Sequence, residues 1–142
     1  MSTKKTFTLT TSSEISKMYF VHFALNALIL SLATLIVPKA VVFGTEFISP
    51  SWGIFHVVSL LSLIGILFVP VFELVRENIQ RELSMQDWML GYFVINFVSI
   101  WVISRFAEQL GFGISAWWVG AIIAVFLDFA QGFGATLVYK KK

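Results

Sequence analysis

The chain has 142 residues, of which 58% are hydrophobic and only 13% charged, and its mean hydropathy is +0.86. A soluble domain carries about 25% charged residues, so this composition cannot cover a water-facing surface and points to an integral membrane protein. There is no cysteine, which excludes disulfides, thiolate nucleophiles and cysteine metal sites, and a net charge of +2 gives no argument for nucleic acid as a partner.

Residues 1–18 read as a polar cytoplasmic arm carrying Lys4, Lys5 and Lys17, with a helix expected to begin near Ser12–Glu14. Tyr19 to Val37 is the first apolar run, ended by Pro38. It is longer than the usual h-region of about 7–15 residues and has no small-residue cleavage signal after it, so it reads as an uncleaved span. A connector from Pro38 to Ser51 follows. Ser49-Pro50 has the form of an N-cap with proline at the first helical position. The second span then runs from about Trp52 to Phe72, with Pro70 expected to bend its last turn. Residues 19–72 thus form a first transmembrane hairpin.

Residues 73–87 are the one strongly charged interior stretch and read as an amphipathic cytoplasmic connector lying on the membrane surface. Glu77 and Arg81 are spaced to pair along a helix, and Val75, Ile79 and Leu83 form an apolar stripe. Ser84 followed by Asp87 resembles a capping box that starts the third helix, from about Trp88 to Arg105 or Phe106. Gln109 to Ser115 reads as a short glycine-containing turn. Arg105 and Glu108 are expected to pair beside it.

Trp117 to Tyr139 is the fourth span, and residues 88–142 make the second transmembrane hairpin, with a basic C-terminus. At about 1.5 Å per residue this span is roughly 34 Å long, enough to cross a hydrocarbon core of about 30 Å. Asp128 lies at its midpoint. A carboxylate there costs about 2.5–3.5 kcal/mol on insertion scales and must face protein or water. Gly120, Ala124, Asp128, Gln131 and Ala135 form a stripe suited to close helix packing, while Gly132 and Gly134 allow a bend.

Eight basic residues (Lys4, Lys5, Lys17, Arg76, Arg81 and Lys140 to Lys142) fall on the side holding both ends of the chain, against Lys39 and Arg105 on the other. This asymmetry places the N-terminus and the C-terminus in the cytoplasm. Trp52, Trp117 and Trp118 then mark the outer interface, and Tyr19, Trp88 and Tyr139 the inner one.

The halves resemble each other. The segment from Phe23 aligns with that from Phe93, setting Asn26 on Asn96; the segment from Ile48 aligns with that from Ile114, setting Ser49 on Ser115 and Trp52 on Trp118. Each half enters and leaves on the same side, so the repeats are parallel. The fold class expected is therefore all-α: an integral membrane four-helix bundle made of two parallel-repeat helical hairpins.

Phe23 to Asn26, Val37-Pro38, Pro70 and Phe93 to Asn96 together resemble the phage holin family 4, small four-span bacterial membrane proteins mostly of unknown function. The resemblance covers roughly Phe20 to Leu137 and implies the four-span fold, a place in a bacterial inner (cytoplasmic) membrane and a holin-like role. The sequence departs from the family pattern at Lys39, where the family has glycine. It departs again at Gly65 and Val69-Pro70, where the family has Asn and then Arg-Pro, and in the charged connector 73–87.

The polar residues within the spans define a candidate site. By helical rise, Asn26, Asn96, Gln131 and Gly65 lie at one depth, about 10–12 Å from the inner face. Ser62 and Asp128 lie one turn deeper, and His22 one turn shallower than Asn26. Two readings stand. In one, the Asn26, Asn96 and Gln131 side chains hold helices together and Asp128 is protonated or bonded to Asn26, Asn96 or Ser62. In the other, Asp128 binds a proton or cation in a small transporter or channel. No cofactor, metal site or catalytic residue is expected: His22 and His56 lie on opposite sides of the membrane, and enzyme motifs are missing. The expected function is non-enzymatic, holin-like or structural. Its partners are the lipid bilayer and further copies of the chain, with any small-molecule or ion substrate unknown.

Overall fold

The computed structural model describes residues 12–139; for Ala135, Thr136 and Tyr139 it describes the backbone alone. The arm up to Thr11, with Lys4 and Lys5, lies outside the described residues, as do Lys140 to Lys142 and the side chains expected at Ala135 and Tyr139. The chain is mostly helical. The elements in order are α1 (Ser12–Ile36), β1 (Val41–Phe43), α2 (Pro50–Leu67), α3 (Val69–Ile79), α4 (Met85–Arg105), α5 (Ala107–Leu110), β2 (Phe112–Ile114) and α6 (Trp117–Tyr139). Four stretches are long and apolar enough to cross a membrane: Ser12–Ile36, Pro50–Ile79, Met85–Arg105 and Trp117–Gly134. They suggest a multi-pass membrane protein.

The helix starts follow from local chemistry. The Ser49 hydroxyl accepts from the Trp52 amide, and Pro50 occupies the first turn of α2, where its missing N–H is no loss. Ser84 and Asp87 form a reciprocal capping box at α4: the Asp87 amide donates to Ser84 Oγ at 3.2 Å, and the Ser84 amide to Asp87 Oδ2 at 2.8 Å. Pro70 does interrupt the second long stretch. The α2 helix ends at Phe68, and α3 begins at once with Pro70 in its first turn.

Two expected pairs are not made. Gln80 adopts a left-handed conformation (φ 52°) and ends α3, so Arg81 leaves the face that carries Glu77. Arg81 reaches instead to Asp87, at 3.0 Å, and Glu73 pairs with Arg76. Arg105 lies over the Trp101 ring, 4.8 Å from its centroid, rather than against Glu108. Phe106, with ψ 39°, breaks the helix between Arg105 and Glu108 and removes their helical spacing.

The connectors carry structure that the helical pattern does not announce. The stretch read as a turn, Gln109 to Ser115, contains strand β2, which pairs antiparallel with β1 in the register Val41↔Ile114, Val42↔Gly113 and Phe43↔Phe112. The α1–α2 and α4–α6 connectors therefore meet at one end of the molecule, and consecutive long helices run antiparallel. The crossing is tight. The Gly44 amide donates to the Gly111 carbonyl at 2.9 Å, and a Cβ on Gly53 would overlap that same carbonyl oxygen. Gly111 itself has φ +70°, which glycine accepts freely.

Packing gives a ring. Helix α1 lies against α2 and α6, and α4 lies against α6 and more lightly against α2. The apolar core fills the half nearest the ribbon, with Leu30, Leu61, Ile100, Phe112 and Leu127 fully buried and the Phe43 and Phe112 rings 5.0 Å apart. Lipid-sized apolar residues cover the outside: Leu35, Phe47, Trp117 and Phe129 are among many left exposed. The α6 helix continues unbroken through Gly132 and Gly134. A Cβ on Gly134 would come within 2.7 Å of Leu25, so this glycine permits close approach to α1 rather than a bend.

Candidate polar site

The period of each span determines which polar residues turn inward. On α1 the buried positions are Met18, His22, Asn26 and Leu30, one every helical turn. On α2 they are Gly53, Val57, Val58, Leu61, Ser62 and Gly65, and on α4 they are Asn96, Ser99, Ile100 and Ile103. On α6 the buried face includes Ala124, Asp128 and Gln131. All six candidate residues thus lie inside the bundle, on four different helices.

Four of them join in one hydrogen-bonded chain. Asn26 Nδ2 donates to Ser62 Oγ at 3.0 Å, and Ser62 Oγ donates onward to the Val58 carbonyl at 2.7 Å. Gln131 Nε2 donates to Asn26 Oδ1 at 3.1 Å and to Asn96 Oδ1 at 3.2 Å. Asn96 Nδ2 donates back to Gln131 Oε1 at 2.9 Å. The chain Ser62–Asn26–Gln131–Asn96 therefore ties α2, α1, α6 and α4 together, and every side-chain oxygen in it accepts a bond. Where water is scarce this closure matters, because an unpartnered amide would pay its full desolvation cost. Ser62 belongs to the Asn26 layer; it is not one turn deeper with Asp128, because its hydroxyl meets the Asn26 amide directly.

Asp128 and His22 stand outside this chain. Asp128 is 9% exposed, and among the described residues no group donates to its carboxylate. The expected bonds from Asn26, Asn96 or Ser62 are not made, since those groups are already engaged with one another. His22 is 1% exposed, and among the described residues neither ring nitrogen has a partner. Its ring fills the space left by Gly65, where an added Cβ would sit 3.4 Å from Nδ1. Asn26 is one turn beyond His22 toward the ribbon, and Asp128 precedes Gln131 by one turn on the antiparallel α6. The two ionisable groups therefore lie on opposite sides of the amide layer.

Two polar residues escaped the sequence reading. Tyr92 donates from its hydroxyl to the Gly65 carbonyl at 3.4 Å, and Ser99 is buried on α4. Tyr92 was legible as the position seventy residues after His22, the same interval that sets Asn26 on Asn96. Between α2 and α4 a groove of about 380 Å³ opens, with Ile64, Phe68, Val94, Val98 and Val102 in its walls. Its almost wholly apolar lining offers no seat for a polar ligand. Comparison with protein-family models, with curated proteins and with solved structures finds no match.

Proposed function

We propose that the protein is a non-enzymatic multi-pass membrane protein, structural or holin-like, that self-associates in a bacterial cytoplasmic membrane with both ends of the chain in the cytoplasm. The observation that carries this reading is the amide layer. Its four side chains direct their hydrogen bonds to one another across all four spans, which is how polar residues act as interhelical glue, at about 0.6 kcal/mol per bond and up to about 2. A layer closed in this way serves a stable bundle better than a substrate.

The proposal includes the internal duplication and, with it, the likeness to phage holin family 4. What supports the duplication is burial. Each buried position of α2 (Gly53, Val57, Val58, Leu61, Ser62 and Gly65) has a buried counterpart sixty-six residues later in α6 (Val119, Ile123, Ala124, Leu127, Asp128 and Gln131). The pairing of β1 with β2 fits two equivalent connectors meeting at a local twofold axis.

The test uses the absence of native cysteine. Single cysteines at exposed apolar positions such as Phe126 and Val98 are cross-linked in native membranes, while membrane potential is followed in cells overproducing the chain. Cross-linked dimers from at least one face are expected, with collapse of the potential separating the holin-like form from the structural one. Monomer at every position and an intact potential would overturn the proposal.

A second reading is favoured by one observation. Among the described residues nothing bonds to the buried Asp128, so its insertion cost of about 2.5–3.5 kcal/mol has no structural return there. In that reading Asp128 binds a proton or cation within a small transporter or channel.

A further inference from the structure

Among the described residues seven polar or charged ones are buried, and apart from Ser99 they divide by chemistry. The three amides and Ser62 are mutually bonded. Of the two ionisable ones, His22 has both ring nitrogens buried and without a hydrogen-bond partner among the described residues, and Asp128, 9% exposed, accepts no hydrogen bond among the described residues. Neutral side chains would fill both places at lower cost, so their chemistry needs a reason beyond packing.

Their placement gives one. At about 1.5 Å rise per residue, His22 lies about 6 Å to one side of the layer and Asp128 about 4.5 Å to the other. The missing Gly65 side chain leaves the α2 backbone against the His22 ring, since a Cβ there would lie 3.4 Å from Nδ1. The ionisable groups at these depths are few. The helices packed against α1 bring Ser62 and Gly65 on α2, and Gln131 with Asp128 beyond it on α6. His56 on α2 is six residues nearer the ribbon than Ser62.

We propose that His22 and Asp128 are paired proton stations, one on each side of the amide layer, and that this layer is the barrier between them. The inference rests on the second reading above, in which Asp128 binds a proton, and adds His22 as the station on the other side. Proton uptake at Asp128 converts its carboxylate to a neutral carboxyl. Uptake at one nitrogen of neutral His22 gives imidazolium, and loss from the other nitrogen restores the neutral ring as its second tautomer. Water is the donor and acceptor on each side, and passage between the stations requires the Asn26–Gln131 and Asn26–Ser62 bonds to open.

The experiment is proton uptake into liposomes loaded with a pH-sensitive dye, driven by a potassium gradient with valinomycin. The full chain is compared with protein-free liposomes, with Asp128→Asn and with His22→Gln, folding being checked by circular dichroism and gel filtration. The expected result is wild-type flux at least tenfold above protein-free liposomes, and loss of at least nine-tenths of it in each variant. Dicyclohexylcarbodiimide, which adds a protonated membrane carboxyl across its C=N bond, should label Asp128 in the wild type and stop the flux. That arm needs no mutant. If His22→Gln does not fold, His22→Asn replaces it. Flux lost in Asp128→Asn but kept in a folded His22 variant would overturn the pairing and leave the Asp128 reading standing. Wild-type flux equal to that of protein-free liposomes would overturn both.

Discussion

Asn96 and Gln131 exchange two hydrogen bonds, Asn96 Nδ2 to Gln131 Oε1 at 2.9 Å and Gln131 Nε2 to Asn96 Oδ1 at 3.2 Å. This reciprocal pair joins α4 to α6, and the second hydrogen on Gln131 Nε2 extends it to Asn26 on α1. Gln131 is therefore the branch point of the layer. Replacing it with leucine keeps the volume but strands Asn26 Oδ1 and both ends of the Asn96 amide. Gln131→Leu is expected to lower unfolding free energy by about 2 kcal/mol, three bonds at about 0.6 each with a small desolvation excess. Ser62→Ala, which loses one bond to Asn26, should cost about 0.6 kcal/mol. Denaturation with sodium dodecyl sulfate in mixed micelles measures both, and equal effects would contradict the branch-point role.

Asp128→Asn follows the opposite rule. Among the described residues no hydrogen bond or ion pair is lost, and a charge is removed from a buried place. Stability is expected to stay level or rise in the same denaturation assay. A fall of more than about 1 kcal/mol would reveal a partner for the carboxylate that the described residues do not include.

Gly53→Ala tests the far end of the bundle. The added methyl meets the Gly111 carbonyl, which is backbone and already holds the Gly44 amide. Overpacking of this kind typically costs about 1–3 kcal/mol, and Gly53→Ala is expected to fall in that range. Gly132→Ala, with nothing within 4 Å of the new methyl, is the matched control and should be neutral or slightly stabilising.

The ribbon is checked by cross-linking. A Val42→Cys, Gly113→Cys double variant places two thiols at directly paired positions, and oxidation should join them in the membrane-embedded protein. Val42→Cys with Gln109→Cys should not join. Efficient oxidation of the second pair alone would refute the register.

Much of the architecture was readable from residue order, and the reasons are physical. The four spans stand out because a bilayer demands about 20 apolar residues in each, a constraint stronger than any helix propensity. The caps at Ser49 and Ser84 were legible because the chemistry is local: the donor and the acceptor lie within four residues. The polar layer was legible as a set of depths, since helical rise is regular.

What escaped was non-local. Val41–Phe43 and Phe112–Ile114 are three-residue strands whose pairing joins positions some seventy residues apart, so neither shows a strand period on its own. Depth counting set Ser62 beside Asp128, because rise alone ignores how the antiparallel helices are staggered; the Asn26–Ser62 bond shows the actual level. The solitude of Asp128 could not be read at all. It depends on Asn26, Asn96 and Gln131 being satisfied among themselves, which is a property of side-chain geometry. Glu77 and Arg81 failed to pair for a backbone reason, the left-handed Gln80 between them.

The central claim is that one amide layer closes the bundle, and the Asn96–Gln131 pair tests it most directly. A double-mutant cycle with Asn96→Ala and Gln131→Ala, read by unfolding in lipid bicelles, isolates their mutual contribution from the cost of each truncation. The account predicts a favourable coupling of about 1–2 kcal/mol, as two reciprocal bonds between apolar helices should give. Coupling indistinguishable from zero, with both single variants folded, would contradict it.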